Sequence, residues 1–420
     1  MTDKLTIAIA GLGNRGQNFA HILKNRPDVA VTTIADPRDR QRNAVGDMLN
    51  VPENHRFHDW RDMTALPCRI ADAAIISLQD AIHCEAACTF AERGYQLLLE
   101  KPMAPTLNEC RRIADAARAN GVSLTVCHEL RYTPFYRKLR ELIDSGVIGD
   151  IQNVQAFEAV CYWHQAHSYV RGNWRNEAES SPMLLAKSCH DLDILCFLLN
   201  RKCLKISSFG SLNHFRPEHA PNGAAKRCTD CPPDVERQCP YSALKIYLRE
   251  RAERNLFDWP VDIITDDLTC EGVECALRHG PYGRCVYACD NDVVDHQVVS
   301  MEFEGGVDAV FTMSAFTRNG GQREIRVCGT KGEIVGNGDS ISLYRFLDDS
   351  REDFMVNSKG TGNAGDGHGG GDARLMDAWL ESLKTGRWPD GASTGEAALA
   401  SHRLVFAAEE SRRTGKTIIL

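Results

Sequence analysis

A turn at residues 11–16, with the sequence GLGNRG, carries the strongest chemical signal in the chain. The apolar run at 5–10 predicts a buried strand and 17–26 predicts a helix, so free backbone N–H groups at the helix start can receive a pyrophosphate. The first glycine permits the tight turn, the second lets phosphates approach the backbone, and the third lets the helix pack on the strand. The predicted cofactor-binding residues of the turn are Gly11, Gly13, Asn14, Arg15 and Gly16.

An acidic residue follows at the spacing that dinucleotide sites use. A second apolar run at 30–35 ends in Asp36, 20 residues after Gly16, where a carboxylate can accept hydrogen bonds from the adenosine ribose. Arg38 leaves NADP open, because an arginine just past the acid can bind a 2′-phosphate. The expected cofactor is NAD, since the Asp36 carboxylate would repel that phosphate.

A set of cysteines has the spacing of a metal site. Cys228-x2-Cys231-x7-Cys239 lies in a segment at 214–260 that is rich in Pro, Cys and charge, and Cys285 or Cys289 can supply a fourth thiolate. Four thiolates make a closed tetrahedral site, so structural zinc is expected, with an iron–sulfur cluster as the alternative. Such a site, more than an apolar core, would order the segment. Unligated thiols in a proline-rich loop are the remaining interpretation.

Strand-like and helix-like runs alternate around the glycine turn, which predicts a parallel doubly wound sheet. Further strands are expected at 73–78, 96–99 and 123–127, with helices at 83–93 and 106–120 between them. Later strand-like runs with few helices predict a second domain with a large, open, mostly antiparallel sheet; they lie at 151–160, 204–212, 298–303, 307–313 and 325–328. The predicted domains are therefore 1–127, which binds the cofactor, and 128–420, with a Cys-rich insertion at about 214–290 and a C-terminal helix that returns toward the first domain.

The composition is that of a globular protein. The 420 residues are 43% hydrophobic and 25% charged, which fits two domains. A net charge of −8 and a pI near 6.0 disfavour nucleic acid or an anionic membrane as the main partner. No apolar stretch approaches the roughly 20 residues of a spanning helix, and the first strand begins too early for a signal peptide, so we expect a cytoplasmic protein whose cysteines are mostly buried thiols.

The segment Glu100-Lys101-Pro102 makes a more specific match possible. With the glycine turn, it resembles the glucose–fructose oxidoreductase/inositol dehydrogenase family, often written Gfo/Idh/MocA. Further matches are His83, the segments 145–149 and 329–334, and the closing helix at 396–414. The resemblance spans nearly the whole chain except the insertion. It implies an N-terminal Rossmann domain that binds NAD beside Glu100 and Lys101, a C-terminal open α/β sheet, and a lysine, Lys101, that reaches the substrate.

Lys101 and His190 are the expected catalytic residues. Removing hydride from a carbinol carbon leaves a hydroxyl proton to be lost, and His190 can accept it at neutral pH without large tuning of its pKa. Lys101 would donate a hydrogen bond to the same oxygen. In many members of the family an aspartate stands four residues before this histidine, and here that position is Ala186. The neighbouring Lys187 would instead hold an anionic sugar substituent or stabilise an enolate.

Several other residues are candidates for substrate binding. Residues three and four apart share a helix face, which places Asp193 beside His190. Glycine-rich 360–371 surrounds His368 and is either a functional lid or a solvated linker. The remaining candidates could bind hydroxyls or an acid group, or serve ordinary packing; they are Arg131, Tyr132, Trp174 and Arg175.

The leading interpretation is an NAD-dependent enzyme that oxidises or reduces a ring hydroxyl of a sugar, sugar acid or cyclitol. An alternative with the same residues is a glycoside hydrolase that oxidises a hydroxyl transiently, eliminates the aglycone, adds water and reduces again. Lys187 favours that alternative, because elimination needs a stabilised enolate. A non-catalytic NAD-binding regulator is a third class, against which intact Lys101 and His190 argue. By resemblance, a homodimer or homotetramer is expected.

Overall fold

The computed structural model describes residues 4–356 and 369–420. Its first sheet has six parallel strands in the order β3-β2-β1-β4-β5-β6. The strands are β1 (Leu5–Ala10), β2 (Val29–Ala35), β3 (Arg56–Phe57), β4 (Ala73–Ile76), β5 (Gln96–Leu99) and β6 (Leu124–Val126). The helices of the same region are α1 (Asn14–Lys24), α2 (Asp39–Leu49), α3 (Trp60–Ala65), α4 (His83–Glu92), α5 (Leu107–Ala119) and α6 (Pro134–Asp144).

Both faces of this sheet are buried, which explains why its strands are continuous apolar runs rather than alternating ones. In β1, Ile7 and Ile9 belong to one apolar cluster, and Ala8 and Ala10 belong to the other. The direction in which successive strands are added to the sheet reverses at β1, because β2 pairs with one edge of β1 and β4 pairs with the other edge. In doubly wound sheets such a reversal opens a crevice at the carboxyl ends of the strands. The glycine turn follows β1 at that point.

The second sheet has nine strands in the order β14-β13-β12-β11-β7-β10-β9-β8-β15. The pairings β9–β10, β12–β13, β13–β14, β8–β9 and β8–β15 are antiparallel, and β7 pairs parallel with β10. The predicted mostly antiparallel sheet is thereby confirmed. Its strands are β7 (Ile151–Ala159), β8 (Cys203–Ser211), β9 (His296–Phe303), β10 (Val307–Ser314), β11 (Arg323–Gly329), β12 (Gly332–Gly336), β13 (Ser340–Arg345), β14 (Ser350–Met355) and β15 (Ile418–Ile419).

The remaining helices are unevenly distributed. Two long ones close the chain and α8 carries the expected catalytic histidine, whereas the others are short. They are α7 (Tyr162–His164), α8 (Met183–Leu199), α9 (Pro233–Gln238), α10 (Val261–Ile264), α11 (Cys270–His279), α12 (Gly371–Thr385) and α13 (Gly395–Thr414). No helix in the described part of the chain is both long enough and apolar enough to cross a bilayer.

The described chain forms two compact units, each discontinuous in sequence. Unit 1 comprises Met1–Gln152, Cys189–Lys202 and Cys328–Ala407, within the residues described. Unit 2 comprises Asn153–Ser188, Cys203–Val327 and Ala408–Leu420. Trp379 of α12 and Ala398 of α13 pack in the two apolar clusters of the parallel sheet. The predicted domain boundary between residues 127 and 128 stays a prediction.

The Cys-rich insertion differs from expectation, because it has apolar cores of its own. Tyr247, Val261, Val273 and Leu277 are fully buried in one cluster. Tyr241, Val286 and Tyr287 belong to a second cluster, against which Cys239, Cys285 and Cys289 pack. The sequence predicted that thiolate coordination, more than a core, orders this segment; the low apolar content expected there was wrong, and the thiolate coordination stays a prediction. Apolar residues scattered among prolines and charges converge in the folded segment.

Candidate active site

The glycine turn is shaped by backbone proximity at two of its glycines. Gly11 has a φ of +90°, and a Cβ there would lie 2.3 Å from the Ser77 carbonyl oxygen. A Cβ on Gly16 would lie 1.9 Å from the Gly11 oxygen. Both contacts are far inside van der Waals distance, so only glycine allows β1, β4 and α1 to approach this closely.

Gly13 is different, because nothing in the protein requires a glycine there. A Cβ at this position would meet only the Arg38 Nη2 atom, at 3.9 Å. Gly13 caps α1 without a side-chain hydrogen bond, and Asn14 is exposed in the first turn. A side chain would therefore fill the open space before the helix N-terminus, where backbone N–H groups attract phosphate. The turn fits the pyrophosphate of a dinucleotide.

Asp36 is buried and fully engaged at the end of β2. Its Oδ2 atom accepts a hydrogen bond from the Leu12 amide at 2.7 Å, and the Arg38 guanidinium bridges both carboxylate oxygens at 2.9 Å. Burial opposes ionisation, but the hydrogen bonds from Arg38 and Leu12 lower the pKa of Asp36 below its ordinary value. Arg38 would have to leave this carboxylate before it could bind a 2′-phosphate.

Arg15 holds three carboxylates together in unit 1. Its Nε atom lies 2.6 Å from Glu100 Oε1, and its Nη2 atom contacts both Glu129 and Asp372. Glu100 follows β5, Glu129 follows β6, and Asp372 stands in the first turn of α12. The predicted cofactor residues Arg15 and Glu100 thus form an ion pair with each other. Their direct contact with NAD stays a prediction.

Glu129 has an unusual electrostatic environment. Its side chain is fully buried, and burial together with the charges of Glu100 and Asp372 raises its pKa well above the ordinary value, although Arg15 opposes this. One guanidinium cannot balance three carboxylates, so the buried Glu129 takes up a proton more readily than an ordinary carboxylate does. Its raised pKa makes Glu129 a candidate proton-transfer group.

His190 lies beside this carboxyl. The ring is 2% exposed on α8, and its Nε2 atom is 3.7 Å from Glu129 Oε2. The distance is longer than a hydrogen bond, as is common for catalytic pairs without substrate. The His128 ring packs edge-on against His190, with 5.6 Å between centroids. The aspartate missing at position 186 therefore has a counterpart in Glu129, which reaches the histidine from another element.

Lys101 is held in a fixed loop after β5. Its amide donates to Glu100 Oε2 at 3.0 Å, and the next peptide bond, Lys101–Pro102, is cis. The two ring nitrogens of His83 face the carbonyl oxygens of Pro102 and Leu78, at 2.8 and 3.1 Å. These contacts fix the backbone on both sides of Lys101, so its side chain starts from a defined position.

Two further histidines surround the Lys101 ammonium. Burial lowers the pKa of His128 to about 3 and that of His402 to about 4, and the Lys101 charge acts in the same direction on both. His402 Nε2 accepts the Met103 amide at 3.0 Å, so this nitrogen is unprotonated and Nδ1 donates to Ala398 O at 2.8 Å. His128 and His402, on which the Lys101 charge acts, are therefore neutral.

Three of the predicted substrate residues are engaged with protein groups in unit 1. Arg131 binds both oxygens of Asp193, at 2.6 and 2.7 Å, and also donates to the Gly391 and Ala392 carbonyls. The Tyr132 hydroxyl accepts the Ser393 amide at 3.1 Å. All of these side chains are buried. They position the segment between β6 and α8, and their contact with substrate stays a prediction.

In unit 2, Lys187 is neutralised by a residue that the sequence did not single out. Its Nζ atom lies 2.9 Å from Glu158 Oε1, and Glu158 Oε2 is 3.2 Å from Arg323 Nε. Glu158 is fully buried on β7. Two cations thus contact one buried carboxylate. Its predicted role toward an anionic substituent or enolate stays a prediction.

The other candidates of unit 2 lie elsewhere. Arg175 forms a two-point pair with Asp290, at 2.9 and 3.0 Å, and contacts Glu179. Trp174 is 38% exposed. Neither observation tests substrate binding. His368 lies outside the described residues.

The described residues include all seventeen cysteines, and none of them forms a disulfide. The four predicted metal ligands line one small cavity of about 20 Å³, and Cys289 does not. No three of these thiols lie within 4.8 Å of one another; in the part of the chain that is described, only Glu100, Cys127 and Glu129 have three ligand atoms that close. Arg15 already pairs with both carboxylates of that set.

Sequence reasoning missed Glu129 although a signal for it existed. His128 and Glu129 directly follow β6, and ligand sites of parallel sheets lie beyond the carboxyl ends of strands. Asp372 and Glu158 had no such signal, because the first follows a glycine-rich segment and the second is an ordinary strand position.

Comparison with known proteins agrees with this geometry. Residues 5–128 match a family described as an oxidoreductase family with an NAD-binding Rossmann fold, and 140–420 match its C-terminal alpha/beta domain. A Bacillus subtilis protein named as an oxidoreductase, YteT, is 25% identical over 337 residues, which are 76% of this chain and 73% of the relative.

Two other matches have more specific names. The 2,7-anhydro-N-acetylneuraminate hydratase of Mediterraneibacter gnavus is 24% identical over 193 residues, which are 46% of this chain and 48% of the hydratase. A levoglucosan dehydrogenase structure in complex with NADH and levoglucosan has a TM-score of 0.69 at 16% identity and covers 99% of both chains. At that identity the likeness establishes the fold alone.

Proposed function

The chain belongs to the Gfo/Idh/MocA oxidoreductase family, with an NAD-binding Rossmann domain, and from that premise we propose that it is an NAD-dependent oxidoreductase of a ring hydroxyl. The substrate class is a sugar, sugar acid or cyclitol. The observation that carries the proposal is the buried Glu129 carboxyl 3.7 Å from His190, in the same unit as Lys101.

The protein's own groups supply the proton chemistry. NAD, when bound, accepts hydride from the carbinol carbon. His190 takes the hydroxyl proton, and the raised pKa of Glu129 would let its carboxylate receive that proton in turn. The Lys101 ammonium donates to the substrate oxygen and favours the developing alkoxide. Neutral His128 and His402 add no competing charge beside Lys101.

NAD is proposed over NADP because Asp36 is ionised and buried next to the glycine turn. Its lowered pKa keeps the carboxylate charged at neutral pH. Arg38, the residue that could favour a 2′-phosphate, is held by that same carboxylate. Gly11, Gly13 and Gly16 would hold the pyrophosphate at the start of α1.

A redox-neutral glycosidase is the second candidate, and the match to a hydratase favours it. In that reaction a transient ketone acidifies the neighbouring carbon, and a base removes its proton while the aglycone leaves. Lys187 and Arg323 both contact Glu158, and cations of this kind can stabilise an enolate.

One assay separates the candidates. Purified protein with NAD is incubated with a panel of sugars, sugar acids, cyclitols and aryl glycosides, while NADH absorbance and aglycone release are followed together. Accumulating NADH supports the dehydrogenase, and aglycone release without net NADH supports the glycosidase. Neither signal with any compound, in protein shown to bind NAD, would overturn both.

Self-association is a further proposal, as a homodimer or homotetramer. The outward face of unit 2's strands carries Phe209, 71% exposed, and Val310, 37% exposed. Register pairs Phe209 with the half-buried Val298 on the same face. Large apolar side chains left in water on a sheet face are costly, and a second copy would cover them.

A further inference from the structure

The insertion brings four cysteine side chains to one closed cavity from three backbone segments. Cys228 and Cys231 flank a single helical turn, Cys239 ends α9, and Cys285 follows the turn at 281–283. An isolated antiparallel bridge between Arg227 and Arg284 places the first and last of these segments side by side. The cavity holds about 20 Å³, the space of one small ion or water.

Arg171 is a buried cation that contacts Cys228, and no carboxylate among the described residues pairs with it. It is 1% exposed, and it donates to the Arg284 and Tyr241 carbonyls at 2.7 and 2.8 Å. Its Nη1 atom has no hydrogen-bond partner among the described residues. An uncompensated buried charge costs several kcal/mol, so a protein that keeps one there needs an anion nearby.

The ionisable groups that act on Arg171 are three cysteine thiols and the Tyr247 hydroxyl. Arg171 Nη2 contacts Cys228 Sγ at 3.6 Å, and the Ala243 amide donates to the same sulfur at 3.4 Å. The charges of Cys228, Cys289 and Cys285 would favour the guanidinium. A neutral thiol is a weak acceptor, whereas two donors on one sulfur are what a metal-bound thiolate attracts.

We propose that Cys228, Cys231, Cys239 and Cys285 bind one zinc ion as a structural four-thiolate centre. Binding releases four protons as four thiols become thiolates, and the resulting site carries a charge of −2 that Arg171 partly offsets. Cys289 is excluded as a ligand, because its thiol donates to the Cys285 carbonyl at 3.3 Å and lies off the cavity.

Zinc would draw the four sulfur atoms inward. The thiols lie too far apart for any three to fall within 4.8 Å in the described chain, and Zn–S bonds are about 2.3 Å long. The proposal requires the cysteine side chains to rotate toward the cavity when zinc binds. Glu236 on the same wall does not compete, because Arg249 holds its Oε1 atom at 2.7 Å. The centre would join the start of the insertion to its last segment.

The test is metal content by elemental analysis of untagged protein purified without added metal. We expect about one zinc per chain, released when the thiols are blocked with a mercurial reagent. Cys231→Ser should lower the zinc content at least roughly tenfold, and Cys270→Ser, a half-buried cysteine of the same insertion off the cavity, should leave it unchanged.

The wild-type measurement stands even if a variant fails to fold. Less than about a tenth of an equivalent of zinc in folded wild-type protein would overturn the proposal. Iron with acid-labile sulfide would overturn it as well, in favour of a cluster. Zinc that persists in Cys231→Ser at wild-type stoichiometry would show that the ion lies elsewhere.

Discussion

At the scale of single residues, the site differs from the family pattern in which residue supplies the carboxyl group beside the histidine. Ala186 removes the carboxylate that many relatives place one helical turn before the histidine, and Glu129 supplies a carboxyl from the segment after β6. The two arrangements are chemically alike but leave different sequence patterns. Position 186 alone would have suggested an inactive site.

Glu129→Gln keeps the shape of this side chain and removes its proton affinity. We expect turnover to fall by about tenfold to a hundredfold with little change in NAD affinity, because the relay from His190 is lost. The pH–rate profile should also lose one ionisation, whereas replacing a merely structural residue would leave the number of ionisations unchanged. Glu141→Gln on the exposed side of α6 is the control. An unchanged rate and profile would remove Glu129 from the mechanism.

Asp36 should set the cofactor preference. Calorimetric titration is expected to give at least about tenfold tighter binding of NAD than of NADP, and Asp36→Ser should narrow the difference by freeing Arg38. Arg38→Ala should leave NAD binding nearly unchanged. Tighter binding of NADP by the wild type would mean that Arg38 governs recognition.

At the scale of elements, α13 and the loop after β5 are joined through His402. The Met103 amide requires this ring to be neutral, and burial holds its pKa near 4 and that of His128 near 3. The unfolded chain binds a proton at each histidine below about pH 6.5, whereas the folded rings stay neutral. Stability therefore falls as the pH drops from about 6.5 toward 4.

Each of these histidines should contribute a slope of about 1.4 kcal/mol per pH unit to the free energy of unfolding in that range. Urea unfolding at several pH values measures it. His402→Gln should flatten the slope, and His21→Gln, at an exposed position of α1, should not. A pH-independent stability between 6.5 and 4.5, roughly, would contradict the buried neutral rings.

Elements were predictable where the signal was local. The glycine turn, the alternation of β4, α4, β5 and α5, and the later antiparallel strands all follow from short-range patterns. The carboxylate cluster does not, because Arg15 and Asp372 are 357 positions apart and only tertiary packing joins them. The insertion was misjudged for a related reason. Its apolar residues are too widely spaced for a periodic pattern and form a core only after folding.

At the scale of the whole molecule, the exposed Phe209 and Val310 of the unit 2 strands should be covered by a second copy. Light scattering at micromolar concentration is expected to give the mass of a dimer or tetramer of the 46.7 kDa chain. Phe209→Glu should shift it toward the monomer, because a buried unpaired charge is costly in an interface. Phe346→Glu, at an exposed position outside those strands, is the control. A monomeric wild type would contradict the proposal.

The central claim is that Lys101 and His190 carry proton chemistry for hydride transfer to NAD. The most direct measurement is the single-turnover rate of NADH formation with the best compound from the panel, in wild type, Lys101→Met and His190→Asn, each saturated with NAD. We predict a rate at least about a hundredfold lower in both variants with NAD affinity nearly unchanged. A rate near that of the wild type in either variant would contradict the account.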